Sequence, residues 1–356
     1  MPSRPAARTN PVLLDELCVL YIDGGTTRTR GWAAVGDRVV GAERVAVGAR
    51  DTAREGSAQR LSEALHHLVR KVGDQCRAKG QPAPSLGVAA GMITAPEGLV
   101  EVPHVEAPAG TLDLARGATS RERSDGGGLP IVFVPGVRSG PAEVDSEDVG
   151  ASDVMRGEEV VSLGLSERGH LPGGGVVLSL GSHWKAVHVD VDGRIGHSVS
   201  TLAGEMIHAV RAQTILASSV PRGWPAALPT EWVAAGVRRG RADGLPRALY
   251  CVRLLDQRTG SRPEDRLAYL VGATIAANED VLLPAAGLPS HTVALVGAPA
   301  LVGAWMSLVR ERGLDLRVVD EAEREAAFRT GCRAVLAAGQ IEAQAEGSAV
   351  VWRPPR

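Results

Sequence analysis

Twice in this chain a continuous apolar run of buried-strand length ends in a turn of glycine and hydroxyl residues. The first, Leu17-Cys18-Val19-Leu20-Tyr21-Ile22, runs into Asp23-Gly24-Gly25-Thr26-Thr27. The second, Val176-Val177-Leu178-Ser179-Leu180, runs into Gly181-Ser182-His183. An unbroken apolar run is the mark of a strand covered on both faces. The elements after each run are also alike. After the first come a strand over Gly31–Val35, a Gly36-Asp37 turn and a strand near Val39–Val45. A helix is then expected from Ala58, Leu61, Leu65, Leu68, Val69 and Val72, which recur at steps of three and four, with Gly73 as its stop. After the second come a strand over Lys185–Val191, an Asp192-Gly193 turn, a strand over Ile195–Thr201 and a helix opening near Gly204-Glu205 and running through Ile207, Val210 and Ile215. Further strands are expected at Leu86–Ala90, Ile131–Val134, Thr292–Val296 and Leu314–Val319, with a helix over Leu301–Arg312. A repeat this long is not a solenoid. It predicts an α/β fold of two similar domains facing each other across a cleft, the alternative being chance recurrence of a common unit. The expected division is a loose N-terminus over 1–14, a first domain over 15–165, a second over 172–340 and a loose tail over 341–356.

Length and composition narrow the function. A chain of 356 residues suits two domains, and 44% apolar with 22% charged residues excludes disorder for most of it. A formal net charge of −2 gives no global field to recruit nucleic acid or an anionic membrane, and no helix-turn-helix or basic arm is visible. No apolar run reaches the ~20 residues of a membrane span, and no leader is expected behind MPSRPAARTN. Cys18, Cys76, Cys251 and Cys332 are widely spaced without a CxxC pair, which points to a reducing, cytoplasmic setting. The 39 basic residues include only three lysines, Lys71, Lys79 and Lys185, so a lysine here invites a specific reason.

The two turns suggest phosphate chemistry. Glycine lets backbone approach a ligand closely, and successive N–H groups and hydroxyls make a concavity for phosphate oxygens. Asp23, at a strand end, is of the kind that holds hydrated Mg²⁺, which prefers one or two carboxylates plus phosphates and water. Gly25, Thr26, Thr27 and Arg30 would serve one phosphate group, and Gly181, Ser182 and His183 another. The plainer alternative is ordinary turn chemistry. No GxxxxGK[ST] occurs, and no GxGxxG follows the first strand, which argues against P-loop and nicotinamide-type sites.

Several blocks taken together resemble the 2-dehydro-3-deoxygalactonokinase (2-keto-3-deoxygalactonate kinase) family of the actin, Hsp70 and hexokinase-like ATPase superfamily. They are IDGGTTRTRGW (22–32), AGMITAPEGLVEVPHVEAPAG (90–110), VPGV (134–137), DVMRGEE (153–159), LSLGSHWKAVHVDVDGRIGHSVSTLAGEM (178–206), VALVGAPAL (293–301) and AFRTGCRAVLAAG (327–339). The resemblance implies duplicated ribonuclease H-like, actin-like ATPase domains, with ATP and Mg²⁺ as cofactors. It also implies phosphorylation of the small-molecule sugar acid 2-dehydro-3-deoxy-D-galactonate on its 6-hydroxyl, ahead of an aldolase in D-galactonate breakdown. A homodimer is compatible with it. The chain has Gly24 where the family usually has an aromatic residue, and Leu180 where it usually has proline. These departures keep two alternatives in view: a same-fold kinase for another sugar or sugar acid, and a catalytically weak sugar-acid sensor.

The remaining candidates carry paired readings. Arg156 could hold the substrate carboxylate as a bidentate partner, and Glu158 or Glu159 could bind hydroxyls or act as base; acids in a first helical turn also simply complement the dipole. Lys185 is a point charge for phosphate or the sugar carboxylate, or a solvated strand residue. His183 and His104 are ligands or ordinary loop histidines, and Glu205, beside Gly204, is a cleft residue or a cap. The resemblance assigns Gly91, Met92, Ile93 and His104 to the acceptor, and Gly297 and Ala298 to the adenosine.

Overall fold

The computed structural model describes residues 10–11, 13–123, 128–283, 292–343 and 350–356. In chain order, strand β1 (Asn10–Pro11) precedes β2 (Cys18–Gly24), β3 (Thr29–Val35) and β4 (Arg38–Val45), helices α1 (Ala49–Glu55) and α2 (Gln59–Ala78), and strand β5 (Leu86–Gly91). Next come β6 (Val105–Glu106), α3 (Thr111–Gly117), β7 (Thr119–Arg123), β8 (Leu129–Phe133), β9 (Val137–Ser139), β10 (Asp153–Met155) and α4 (Glu158–Glu167). The later half runs β11 (Gly175–Leu180), β12 (Trp184–Val189), β13 (Ile195–Thr201), α5 (Ala203–Gln213), α6 (Thr230–Asp243), α7 (Leu245–Arg258), α8 (Pro263–Ala276) and α9 (Glu279–Leu282). It ends with β14 (Thr292–Gly297), α10 (Pro299–Glu311), β15 (Asp315–Val319), α11 (Glu321–Ala338), β16 (Gln340–Ala343) and β17 (Val350–Arg353).

The chain forms two compact units. One comprises Met1–Glu143, Val154–Arg168 and Ala326–Arg356; the other comprises Val144–Asp153 and Gly169–Glu325. The sheet of the first has the order β4-β3-β2-β5-β8-β7, and that of the second β13-β12-β11-β14-β15. In both, three antiparallel strands are followed by two added in parallel to the first of them. This is the ribonuclease H-like arrangement made twice, as the repeated sequence unit leads one to expect.

Alternation along β2 sends Cys18, Leu20 and Ile22 to one face, where α2 covers them with Leu65, Leu68 and Val72. Val176, Leu178 and Leu180 of β11 likewise enter the second core, which residues of α6 and α8 share. Helix α8 is buried from Asp265 to Ile275 and is apolar nearly all round. It has no amphipathic stripe to betray it in the sequence. Helix α2 does not stop at Gly73, which is buried inside it. The helix runs to Ala78, and N–H groups of Gly80 and Gln81 donate back to the carbonyls of Arg77 and Cys76 at 2.9 Å, closing its end.

Two expected boundaries need correction. The tail is not loose throughout: β16 pairs with β1 and β17, and Trp352 is buried with its Nε1 donating to the Leu336 carbonyl at 3.0 Å. The second domain also does not reach residue 340, because α11 from Ala326 onward packs with the first unit. Phe328 of that helix lies against Trp32 of β3, with ring centroids 5.9 Å apart. Most of the expected loose N-terminus, residues 1–9 and 12, lies outside the described residues.

Candidate functional site

In the first unit, Asp23 and Arg30 are direct cross-strand partners near the end of the β2–β3 hairpin. Alternation places both on the face carrying Tyr21 and Trp32, away from α2. The turn beyond them is tied from behind. Gly25 N–H donates to the Arg28 carbonyl at 2.9 Å, while Ala49 and Arg50 N–H groups of α1 donate to the carbonyls of Gly25 (3.2 Å) and Thr26 (2.9 Å). A Cβ at Gly48 would lie 2.5–2.6 Å from those same carbonyl oxygens, so only glycine allows the contact. Thr27 is left exposed at the tip.

Strand β5 ends beside this turn, with Gly91 opposite Gly24. Gly91 has φ +93, and a Cβ there would lie 2.7 Å from the Gly24 carbonyl oxygen. A Cβ on Gly24 would fall 2.4 Å from Ile93 Cβ, so Ile93 occupies the space that an aromatic residue at 24 would need. Gly157, φ +102, brings a third backbone to 3.2 Å of Gly91 Cα, measured from its would-be Cβ. Met92 is half-buried beside them.

Arg156 is held by this cluster. Its Nη1 donates to Thr94 Oγ1 (2.9 Å) and its Nη2 to the Val102 carbonyl (2.8 Å), with His104 Nδ1 at 3.4 Å. Thr94 is fully buried, and its hydroxyl donates to the Gly91 carbonyl at 3.0 Å. The guanidinium's partners are thus a hydroxyl, a carbonyl and an imidazole, none of them anionic. Burial pulls its pKa down, against the opposing fields of Glu159, Glu101 and Glu97. Glu158 is half-buried in the first turn of α4. Glu159 is fully buried and accepts from its own Gly157 N–H through both carboxylate oxygens, at 2.8 and 2.7 Å. Through these bonds it braces the turn that leads from Arg156 into α4. Burial, and then the carboxylates of Glu159 and Asp23, push the pKa of the buried Cys332 thiol well up.

The second unit repeats the device. Glu205 N–H at the start of α5 donates to the Ser182 carbonyl at 2.7 Å. A Cβ at Gly204 would lie 2.1 Å from the Gly181 carbonyl oxygen and 2.5 Å from that of Ser182. Gly181, Ser182 and His183 are all exposed, and His183 Nε2 is 3.8 Å from Glu205 Oε1. Lys185 is 5% exposed, the least accessible of the proposed phosphate ligands in this unit. It pairs across the strands with Ser179 on one side and Ser200 on the other. Ser200 Oγ donates to Asp153 at 2.9 Å, and Ser198 Oγ donates to the same oxygen at 2.5 Å. Gly297 and Ala298 are exposed at the end of β14, with Gly297 opposite Leu180.

Thr94, Val102, Ser179 and Asp153, which hold or face the candidate residues or their neighbours, lie within the blocks 90–110, 178–206 and 153–159, but their residue types alone do not single them out. Thr94 and Val102 lie 62 and 54 residues from the arginine they hold; only the 90–110 block hints at them.

The donor set fits a nucleotide-borne Mg²⁺. Asp23 is a half-exposed carboxylate beside a hydroxyl turn, and an ion that keeps its waters and takes phosphate oxygens needs no more than that. Among the described residues no group of three or more acidic, histidine or cysteine side chains forms a protein-only metal cage.

Two ribonuclease H-like sheets, each with a glycine-hydroxyl turn bonded to a helix start at the same strand end, define the class of actin-like ATPases and sugar kinases. A family model for 2-keto-3-deoxy-galactonokinase matches residues 23–335. A curated relative from Rhizobium meliloti (strain 1021), named as a candidate 2-dehydro-3-deoxygalactonokinase, is 28% identical over 316 residues, covering 88% of this chain and 94% of the relative. A crystal structure of a candidate 2-dehydro-3-deoxygalactonokinase from Sinorhizobium meliloti has a TM-score of 0.69 at 25% identity, covering 89% of this chain and 95% of the other. The chain belongs to the 2-keto-3-deoxy-galactonokinase family, and is a sugar-acid kinase.

Proposed function

We propose that the protein transfers the terminal phosphoryl group of ATP to the 6-hydroxyl of 2-dehydro-3-deoxy-D-galactonate, releasing ADP, in D-galactonate breakdown in the cytoplasm. The observation that carries the acceptor assignment is Arg156. A partly buried guanidinium hydrogen-bonded to a hydroxyl and a carbonyl, with an imidazole beside it, is held in a fixed orientation, so an incoming carboxylate gains a charge-assisted, bidentate partner. His104 lies beside that position, Glu158 takes a sugar hydroxyl, and Gly91, Met92 and Ile93 bound the acceptor. The turns at Gly25–Thr27 and Gly181–His183, with Arg30 and Lys185, contact the nucleotide's phosphates, and Gly297 and Ala298 contact its adenosine. Asp23 would hold Mg²⁺, which when bound neutralises charge on the β- and γ-phosphates. Positioning and electrostatics carry most of such a reaction, since phosphoryl transfer asks little covalent chemistry of the protein.

A coupled ADP-release assay across several 2-keto-3-deoxy acids tests this. The expected result is turnover with the galactonate derivative and phosphate at C6. Turnover only with another acid would move the substrate, and ligand binding without ADP release would make the protein a sensor.

A further inference from the structure

Arg156 sits in a seat made by one folded-back segment of the first unit. Strand β5 ends at Gly91, whose φ of +93 leads into the short turn Met92–Thr94. From there to Val102 the chain is closed on itself. Leu99 and Val100 N–H groups donate to the Ile93 carbonyl at 2.9 and 3.3 Å, and Val102 N–H donates to the Thr94 carbonyl at 3.1 Å. A Cβ at Gly98 would lie 2.2 Å from the same Ile93 carbonyl oxygen, so the fold-back is tight. Thr94 and Val102 are both fully buried. They are also the two residues that accept from Arg156, through Thr94 Oγ1 at 2.9 Å and the Val102 carbonyl at 2.8 Å. Since their backbones are bonded to each other, the two acceptors are held at a fixed spacing.

The Thr94 hydroxyl has a single proton, and it goes to the Gly91 carbonyl at 3.0 Å. Toward Arg156 this oxygen therefore only accepts. A second wall comes from Gly136, whose carbonyl accepts from Val105 N–H at 2.9 Å. A Cβ at Gly136 would fall 2.7 Å from Arg156 Cγ and 2.8 Å from His104 Cδ2, so bare backbone lies against the arginine stem. A free arginine samples many rotamers; here the stem is pinned and the head is held at two points. Both bonds use the Nη groups, and Nε takes part in neither. A hydroxyl orients the guanidinium without adding a negative charge that would compete with an incoming carboxylate.

We propose that Thr94 is a positioning residue for the acceptor: its hydroxyl, fixed by the Gly91 carbonyl, sets the direction in which Arg156 presents its guanidinium to the sugar acid. This rests on the reading of Arg156 as the carboxylate partner. Thr94 is fully buried and acts through Arg156. The test is isothermal titration of the full chain with 2-dehydro-3-deoxy-D-galactonate and, separately, with ATP. Two variants are compared, each with Arg156 and with Arg156→Ala: Thr94→Val, which keeps the shape and deletes the hydroxyl, and Thr94→Ser, which keeps the hydroxyl. Thr94→Val is expected to weaken binding of the sugar acid about tenfold, the scale of one lost charge-assisted hydrogen bond, and to leave ATP binding unmoved. Thr94→Ser should restore most of the loss. With Arg156→Ala the Thr94→Val penalty should vanish, which a general loosening of the fold would not produce. Should Thr94→Val fail to fold, Thr94→Ala carries the same comparison. Sugar-acid binding unchanged by loss of the hydroxyl, or a penalty that persists without Arg156, would overturn the proposal and leave the acceptor reading standing. No binding of the sugar acid, or equal binding by Arg156→Ala, would overturn the acceptor reading and the proposal with it.

Discussion

The two hairpin ends are built alike and furnished differently. In the first unit Asp23 faces Arg30 across the strands; at the equivalent rung of the second, Ser179 faces Lys185. Both turns are bonded to a following helix start, and both press against a glycine, Gly48 or Gly204, where no side chain fits. Both lie beside the end of a parallel strand, which carries Gly91 in one unit and Gly297 in the other. The two units thus share a backbone geometry and differ at the rung: one carries a carboxylate, proposed above for the metal, and the other a buried ammonium, proposed above for a phosphate. On that proposal, a lysine at 185 in a chain with only three has a specific use. An ammonium is a compact point charge that fits where a planar guanidinium fork does not.

The largest expected effect separates the two copies. Asp23→Asn should lower kcat by about 10²–10³-fold, the scale of losing one pre-organised electrostatic contact, with the melting temperature unmoved. Ser179→Ala, at the matching rung, should change kcat little, and an equal loss would break the division of roles. Next, Arg156→Ala should raise KM for the sugar acid roughly 10–100-fold, as expected for a charge-assisted contact, and leave KM for ATP nearly unchanged. Equal effects on both would remove it from the acceptor side. Gly48→Ala and Gly204→Ala should each cost about 1–3 kcal/mol in chemical denaturation, because each Cβ overpacks against loop carbonyls. A loss at only one would mean the two turns are not held alike.

The smallest effect belongs to the second unit alone. His188 stacks on His197 across β12 and β13, with centroids 3.8 Å apart. Burial, and then His197, pull its pKa down to about 4 from an ordinary 6.5. The unfolded chain therefore takes a proton near pH 6.5 that the folded chain refuses until about 4. Stability should fall as pH drops through that window and stay flat, for this group, above it. His188→Gln should flatten the melting temperature between pH 6.5 and 4.

Much of this is legible in the sequence where a local pattern coincides with a tertiary role. The runs at Leu17–Ile22 and Val176–Leu180 announce central strands, and the spacing of Leu61, Leu65, Leu68 and Val72 announces the helix that covers the first of them. Helix α8 is silent because an element buried on every side has no polar face to set its period. The last strand is hidden by the prolines and arginines around it: Val350 and Trp352 alternate inward, but over too few residues to stand out. The setting of Arg156 is a matter of long-range contacts, since Thr94 and Val102 carry no label that ties them to a distant arginine. The orientation of Glu159 is hidden for the same reason. Its carboxylate is turned back on Gly157, and a sequence records the acid but not its direction.

A double-mutant cycle on phosphoryl transfer, using Asp23→Asn and Lys185→Met, tests most directly whether the two unlike rungs act on one triphosphate. The account expects strong non-additivity, with the double variant little slower than the worse single one, as for groups that act together on the same transition state. Losses that simply multiply would mean the two residues act independently, and would contradict it.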